Sequence, residues 1–318
     1  MGPVRRARAL LVPAALLLAC CAPVAAPPLP PAPAPAPPPA ARPAPPADTA
    51  ASASVRAHFA RAEATLRARG LMRTDTDPAD VPFGVATLAR NFEMIALFDE
   101  YVEVAGRLVE RPTPSRLRRW ETAVRIGVEF GAAVPAAQRA RDLGRIRAYA
   151  ARLAEITGHP IAVTDTPANA NFRILVLTED ERRAAGPRLT ALLPGIDPLS
   201  VSTITGMPLG VSCLVLAFAR SSSSIYSQAV AVVRAELPDL TRLSCFHEEI
   251  AQGLGLPNDY EAARPSIFND VQEFALLTRH DELLLRILYD PRLRPGMTPT
   301  QARPIVERIA SELLAGES

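Results

Sequence analysis

Apolar and polar positions alternate along this chain in blocks whose period changes, and each block predicts an element. Helical spacing runs over 56–70 and again over 86–101. Residues 124–130, Val-Arg-Ile-Gly-Val-Glu-Phe, alternate apolar with other residues, the pattern of a half-buried strand. A long helix is predicted over 136–157, where Ile146, Tyr149, Ala150, Leu153 and Ile156 form one apolar stripe. Gly158-His159-Pro160 stops it. Residues 161–164 read as a short strand. The continuous apolar runs 172–178 and 213–219 suit strands covered on both faces, and 228–236 reads as another strand. A helix begins near 241. Further on, Thr298-Pro299-Thr300-Gln301 has the form of a capping box with proline at the first helical position, ahead of a stripe through Ile305, Ile309 and Leu313. The predicted class is α+β, one mixed sheet backed by helices, with a helical C-terminal part.

Before residue 52 this patterning is lost. Arg5, Arg6 and Arg8 precede an apolar run over 9–19 that is too short to span a bilayer and has the proportions of a secretory signal. Leu17-Leu18-Ala19-Cys20 resembles the bacterial lipobox, in which cleavage before the cysteine frees it for acylation. An ordinary signal cut near Ala22 or Ala26 is the alternative. No aspartate follows Cys20, so the resemblance implies an outer-membrane lipoprotein facing the periplasm. Of the 33 prolines, thirteen lie between Pro23 and Pro46, in a tract that favours extended polyproline II over any sheet. The expected organisation is a signal over 1–19, a linker over 20–51 and one globular domain over 52–318. Within that domain we expect a helical N-terminal part over 52–120, a sheet part over 121–240, and helices over 241–318.

Composition narrows the function classes. Of 318 residues, 48% are apolar, which excludes a wholly disordered chain, and a formal net charge of +2 gives no nucleic-acid footprint. The 35 basic residues are all arginine, so an arginine in place of lysine carries little meaning here. Beyond Cys20 and Cys21 only Cys213 and Cys245 remain. Export to an oxidising compartment makes them candidates for a disulfide worth about 3 kcal/mol in the chain-entropy model; two buried free thiols are the alternative.

The most informative stretch is Cys245-Phe246-His247-Glu248-Glu249-Ile250-Ala251-Gln252-Gly253-Leu254-Gly255-Leu256-Pro257-Asn258-Asp259. His247-Glu248 opens like a zinc-protease motif, but Ala251 falls where the second histidine belongs. One residue on, Glu248-Glu249-x-x-Gln252-x-x-Gly255-x-x-Asn258 resembles the metzincin pattern H-E-x-x-H-x-x-G-x-x-H at every spacing. Glutamate and glycine are kept; the three histidine positions hold Glu248, Gln252 and Asn258. Ser266-Ile267-Phe268 is similar to the S-I-M of the metzincin Met-turn, with Phe268 for methionine. Leu277-Thr278 with Asp281, then Leu288-Tyr289, resembles a stretch of the matrixin C-terminal helix. The order of strand, long helix, further strands and site helix is also that of this fold family, over roughly 120–290. Separately, the 248–259 run and Tyr289-Asp290-Pro291-Arg292-Leu293-Arg294-Pro295-Gly296 resemble a proteobacterial lipoprotein family of unknown function, domain of unknown function family 2927.

Together the resemblances imply a degenerate zincin-like domain. Catalytic zinc takes three strong ligands and an open position for water. An oxygen set from Glu248, Gln252 and Asn258 or Asp259 suits calcium or magnesium better than zinc. We therefore expect no metal and no cofactor, and a binding or structural module whose partner is a peptide or another envelope protein, reached from a membrane anchor at Cys20. The alternative is a hydrolase with an unusual metal and Glu249 as general base. Glu249 and Gln252 are expected to hold the site helix to the loop at Asn258 and Asp259, and His247 to cap or pack near the helix start. Arg292 and Arg294 read as solvated charges, with a functional loop pair as the alternative.

Overall fold

The computed structural model describes residues 49–104, 107–220, 223–269 and 271–316; the signal, the linker and Cys20 lie outside the described residues. In chain order the elements are α1 (Ala50–Ala68), α2 (Val85–Ala96), β1 (Phe98–Val104), β2 (Arg107–Pro114), β3 (Arg119–Trp120), β4 (Val124–Phe130) and α3 (Ala136–Thr157). They continue with β5 (Ile161–Val163), β6 (Phe172–Leu177), α4 (Glu179–Arg183), α5 (Gly186–Leu192) and α6 (Pro198–Thr205). The remainder are β7 (Cys213–Ala219), β8 (Ile225–Arg234), α7 (Asp239–Gly255), α8 (Arg279–Tyr289) and α9 (Pro299–Ala315).

Local chemistry sets several of these boundaries. Gly158 closes α3 in the left-handed conformation, φ 65°, which costs glycine nothing. Thr298 and Gln301 make the expected capping box on α9, and Thr278 with Asp281 makes another on α8. The helix expected over 86–101 stops at Ala96, because Phe98–Val104 pairs antiparallel with Arg107–Pro114. The 52–120 part thus holds a hairpin as well as its two helices. Tyr101-Val102-Glu103-Val104 carries the aromatic and β-branched residues that favour a strand, and pairing with β2 overrides the helical spacing.

The sheet runs β7–β8–β6–β4–β5. Strands β8, β6, β4 and β5 are mutually parallel, while β7 is antiparallel to β8 at the edge, with Cys213 opposite Val233. Short β3 extends the β6 side of β8, pairing Trp120 with Tyr226. Both faces are covered, as parallel strands require. Ala229, Ala231 and Val233 of β8 join Phe172, Ile174 and Val176 of β6 in the large core with α3, α7 and α8. Val230 and Val232, on the other face with Leu175, pack with Leu189 and Ile204 of the α4–α6 layer. This is the α+β architecture, a mixed sheet backed by helices, expected from the pattern.

Candidate functional site

The site is built on α7. Arg242 anchors its first turn, reaching buried Asp142 at 2.8 and 3.2 Å, Asp239 at 2.6 Å and the Leu237 carbonyl at 2.6 Å. Its middle is tied to the sheet edge by the Cys213–Cys245 disulfide, which joins residues 32 apart with Cα atoms 6.0 Å apart. Its last turn lies unusually close to the sheet: a Cβ on Gly253 would stand 2.5 Å from the Phe172 ring. The carbonyls that a helix end leaves unpaired are taken by side chains, Gly253 by Trp120 Nε1 at 2.8 Å and Leu254 by the Tyr289 hydroxyl at 3.0 Å. Gly255 then turns the chain at φ 133°, with the Arg118 carbonyl 2.3 Å from where a Cβ would sit. Only glycine meets both conditions.

Each expected site residue has a definite place. Glu249 is buried, 4% exposed, and Glu248 is half-buried. A carboxylate oxygen of each and Cys213 Sγ all lie within 4.8 Å of one another. Half-buried Gln252 donates from Nε2 to Asp259 Oδ1 at 3.1 Å. Asn258 does not join them. It is fully buried, its Nδ2 donates to the Met94 carbonyl at 2.7 Å and its backbone N–H to Ile95 at 3.1 Å, so its side chain caps the end of α2. The loop after α7 is therefore held at two points, Asp259 on the site helix and Asn258 on α2.

His247 packs and does not cap. Its ring stacks on Tyr149 with centroids 4.1 Å apart, and its Nδ1 accepts from the Leu277 N–H at 3.1 Å. Burial, with a smaller push from the Arg152 charge, takes its pKa down to about 3, so the imidazole is neutral with its proton on Nε2. The Ser266-Ile267-Phe268 segment is tied to the start of α8. Ser266 Oγ and Ile267 N–H donate to Asp281 at 2.5 and 3.0 Å, and Thr278 Oγ1 donates to the Pro265 carbonyl at 2.8 Å. The capping box of α8 thus also fixes the turn that carries buried Phe268.

Beside α7 runs a groove of about 360 Å³, floored by Val215 and Ala217 of β7 and walled by Gln252 and Pro257 on one side and Leu199 and Ser200 of α6 on the other. Sequence reasoning missed its ion pair, Asp99 with Arg118 at the groove lining. Neither residue belongs to a motif, and only the folded hairpin brings them together. Among the described residues, β7 pairs on one side only. Arg234 N–H bonds the Ser212 carbonyl and Ser227 Oγ the Phe218 carbonyl, so by alternation residues 214 and 216 also face β8. Val215 and Ala217 then point their N–H and C=O groups outward, where no described strand pairs with them.

A buried charge cluster, with no motif to announce it, holds the segment that leads into that edge. Arg182 donates to the Ile204 and Thr205 carbonyls at 2.6 and 2.7 Å, and Arg234 to those of Met207, Pro208 and Val211 at 3.1, 2.8 and 2.9 Å. Both guanidiniums pair with Glu179. Burial pushes the Glu179 carboxyl up, but bonds from Arg183 and Arg182 and the Arg234 charge outweigh it, taking the pKa down to about 2. A second cavity, about 760 Å³, lies among α3, α8 and α9. There Arg292 bridges Asp290 and Glu312 at 2.8 and 2.7 Å, a tie between loop and helix, while Arg294 is exposed.

Fold and site together define an α+β domain whose acid- and amide-bearing helix is cross-linked to the antiparallel edge of its sheet. Residues 85–308, well over half of the chain, match the family described as Protein of unknown function (DUF2927), and the chain belongs to that family. No curated protein and no solved structure matches it.

Proposed function

We propose that this chain is a lipid-anchored envelope protein whose domain resembles a metalloprotease without its zinc, and that it binds an extended chain along β7. The observation that carries this reading is the state of the metal-binding positions of the protease pattern. Gln252 is engaged by Asp259, and Asn258 faces away into α2. Gly255, at the pattern's glycine position, turns the chain at positive φ, which supports the reading. The adjoining groove offers what strand addition needs, outward backbone groups on an antiparallel edge and apolar side chains beside them. The burial of Glu249 weighs against a general-base role, which requires reach to a substrate proton.

The test is incubation of the oxidised protein with an unfolded, protease-sensitive protein, followed by metal analysis. Retention of that protein intact on the column supports the reading. Cleavage that needs Glu249 and a stoichiometric divalent ion replaces it with the hydrolase reading. The anchor has its own test, since no helix among the described residues is long and apolar enough to cross a membrane. Fatty-acid labelling of the wild-type chain but not of Cys20→Ser is expected; an unlabelled wild-type chain contradicts the lipoprotein assignment.

A further inference from the structure

The open edge of β7 carries little of the protection that edge strands usually have. Charge, proline or a bulge ordinarily blunts such an edge, yet this strand reads Cys-Leu-Val-Leu-Ala-Phe-Ala, with its register irregular only between Phe218 and Ala219. It is recessed instead, between the α6 and α7 walls of its groove. A single extended chain fits between two walls. The edge of a second folded copy brings flanking helices of its own, which meet those walls first.

The walls differ in chemistry. Leu214, Leu216 and Phe218 lie on the face that packs with Val201 and Ile204 of α6. Val215 and Ala217 lie on the opposite face, where Val215 Cγ2 is 3.2 Å from the place a Cβ on Gly253 of α7 would take. Along the α6 side, Leu199 joins Leu216 and Phe218 in an apolar strip. Along the α7 side stand the Gln252 amide and the Asp99–Arg118 ion pair. Asp197, at the start of α6, accepts from Ser200 N–H and Oγ at 2.8 and 2.6 Å. The lining therefore sets two carboxylates, Asp99 and Asp197, against one guanidinium, Arg118, a net charge of −1. A strand added to an edge continues the pleat of the sheet, so its side chains face the two walls in turn.

We propose that the chain received by β7 is an amphipathic strand, with apolar side chains at alternate positions against α6 and hydroxyl, amide or basic side chains between them against α7. The proposal rests on strand addition at β7 and adds what the added strand must be. A run apolar throughout would strip water from the Gln252 amide and the ion pair and give them no new partner. A run polar throughout would leave the Leu199 strip uncovered, and an acidic one would meet like charge. The required pattern is that of an unpaired strand from an antiparallel sheet with one buried face.

The test titrates the full chain with two fluorescent peptides of one composition, leucine with serine and a single lysine, each about eight residues long. In one the leucines alternate with the polar residues; in the other they are contiguous. The alternating peptide should bind at least about tenfold more tightly. Leu199→Lys should remove that preference, and glutamate in place of the peptide's lysine should weaken binding. Equal binding of both peptides, still weakened by Ala217→Pro, overturns the amphipathic assignment and leaves strand addition standing. Binding of neither overturns strand addition and this proposal with it. A wild-type dimer that Ala217→Pro splits overturns it in favour of a second copy on this edge. If Leu199→Lys fails to fold, the two peptides on the wild-type protein decide alone.

Discussion

Gln252 Nε2 donates to Asp259 Oδ1 at 3.1 Å, joining the last turns of the site helix to the loop that follows it. A hydrogen bond to a carboxylate thus clamps the end of the helix to the loop. Gln252→Ala and Asp259→Ala should each destabilise the domain by about 1 kcal/mol, near the typical net worth of one hydrogen bond at a half-buried site. In a domain of this size that lowers the melting temperature by about 2–4 °C. The double variant should melt less far below the wild type than the two single losses summed, since both remove the Gln252–Asp259 bond. Simple additivity would show that the two side chains act separately.

The glycines of α7 differ in why they are needed, and two substitutions separate the reasons. Gly253→Ala forces a methyl group into the Phe172 ring, so Phe172→Leu in the same chain should recover much of the loss. Gly255→Ala meets both a positive φ and the Arg118 carbonyl, and no side-chain change nearby relieves backbone. Each single change should cost about 2 kcal/mol or more by chemical denaturation.

Acid should weaken the domain in two stages. The folded pKa of His247 is depressed to about 3, so between there and the ordinary value near 6.5 the unfolded chain binds the extra proton. Stability from this group is complete above that ordinary value and falls as pH drops through the window. Glu179, depressed to about 2, acts with the same sign and begins lower, below the ordinary carboxylate value near 4.5. His247→Gln should flatten the loss between pH 6.5 and 4.5, leaving the steeper loss below it. An unchanged slope for that variant would show that His247 is not the group that titrates.

Much of this architecture was legible in residue pattern. The α3 helix runs over 136–157 as its apolar stripe and Gly158 required, and Cys213 and Cys245, the disulfide candidates, are bonded. The unreadable parts depend on contacts between distant segments. The β1–β2 hairpin needs a partner strand to override helical spacing, and α4 to α6 are too short for periodicity to register. Asn258 matched the protease pattern by spacing, yet its amide turns to the Met94 carbonyl, because a buried side chain goes where the end of α2 leaves an acceptor unpaired. Motif spacing specifies position along the chain; the direction of a loop side chain is set by what packs against it.

Glu179→Gln removes the charge that holds two buried guanidiniums and should cost about 3–5 kcal/mol, the range for breaking a buried pair on one side. Because Arg182 and Arg234 hold the 204–211 segment ahead of β7, hydrogen exchange there should quicken before exchange in β6 or β4. Uniformly faster exchange across the sheet would place the cluster's role in global stability alone.

The claim that β7 receives an extended chain is tested most directly by one substitution on its open edge. Ala217→Pro removes an outward N–H and no bond to β8, a place where a strand tolerates proline. The measurement is fluorescence anisotropy of a library of unstructured peptides, about eight residues long, titrated with wild-type and Ala217→Pro protein. The predicted result is saturable binding to the wild-type domain, at least tenfold weaker binding to the variant, and matching melting temperatures. Equal affinity in the proline variant, or no peptide bound by the wild-type protein, would contradict strand addition at β7.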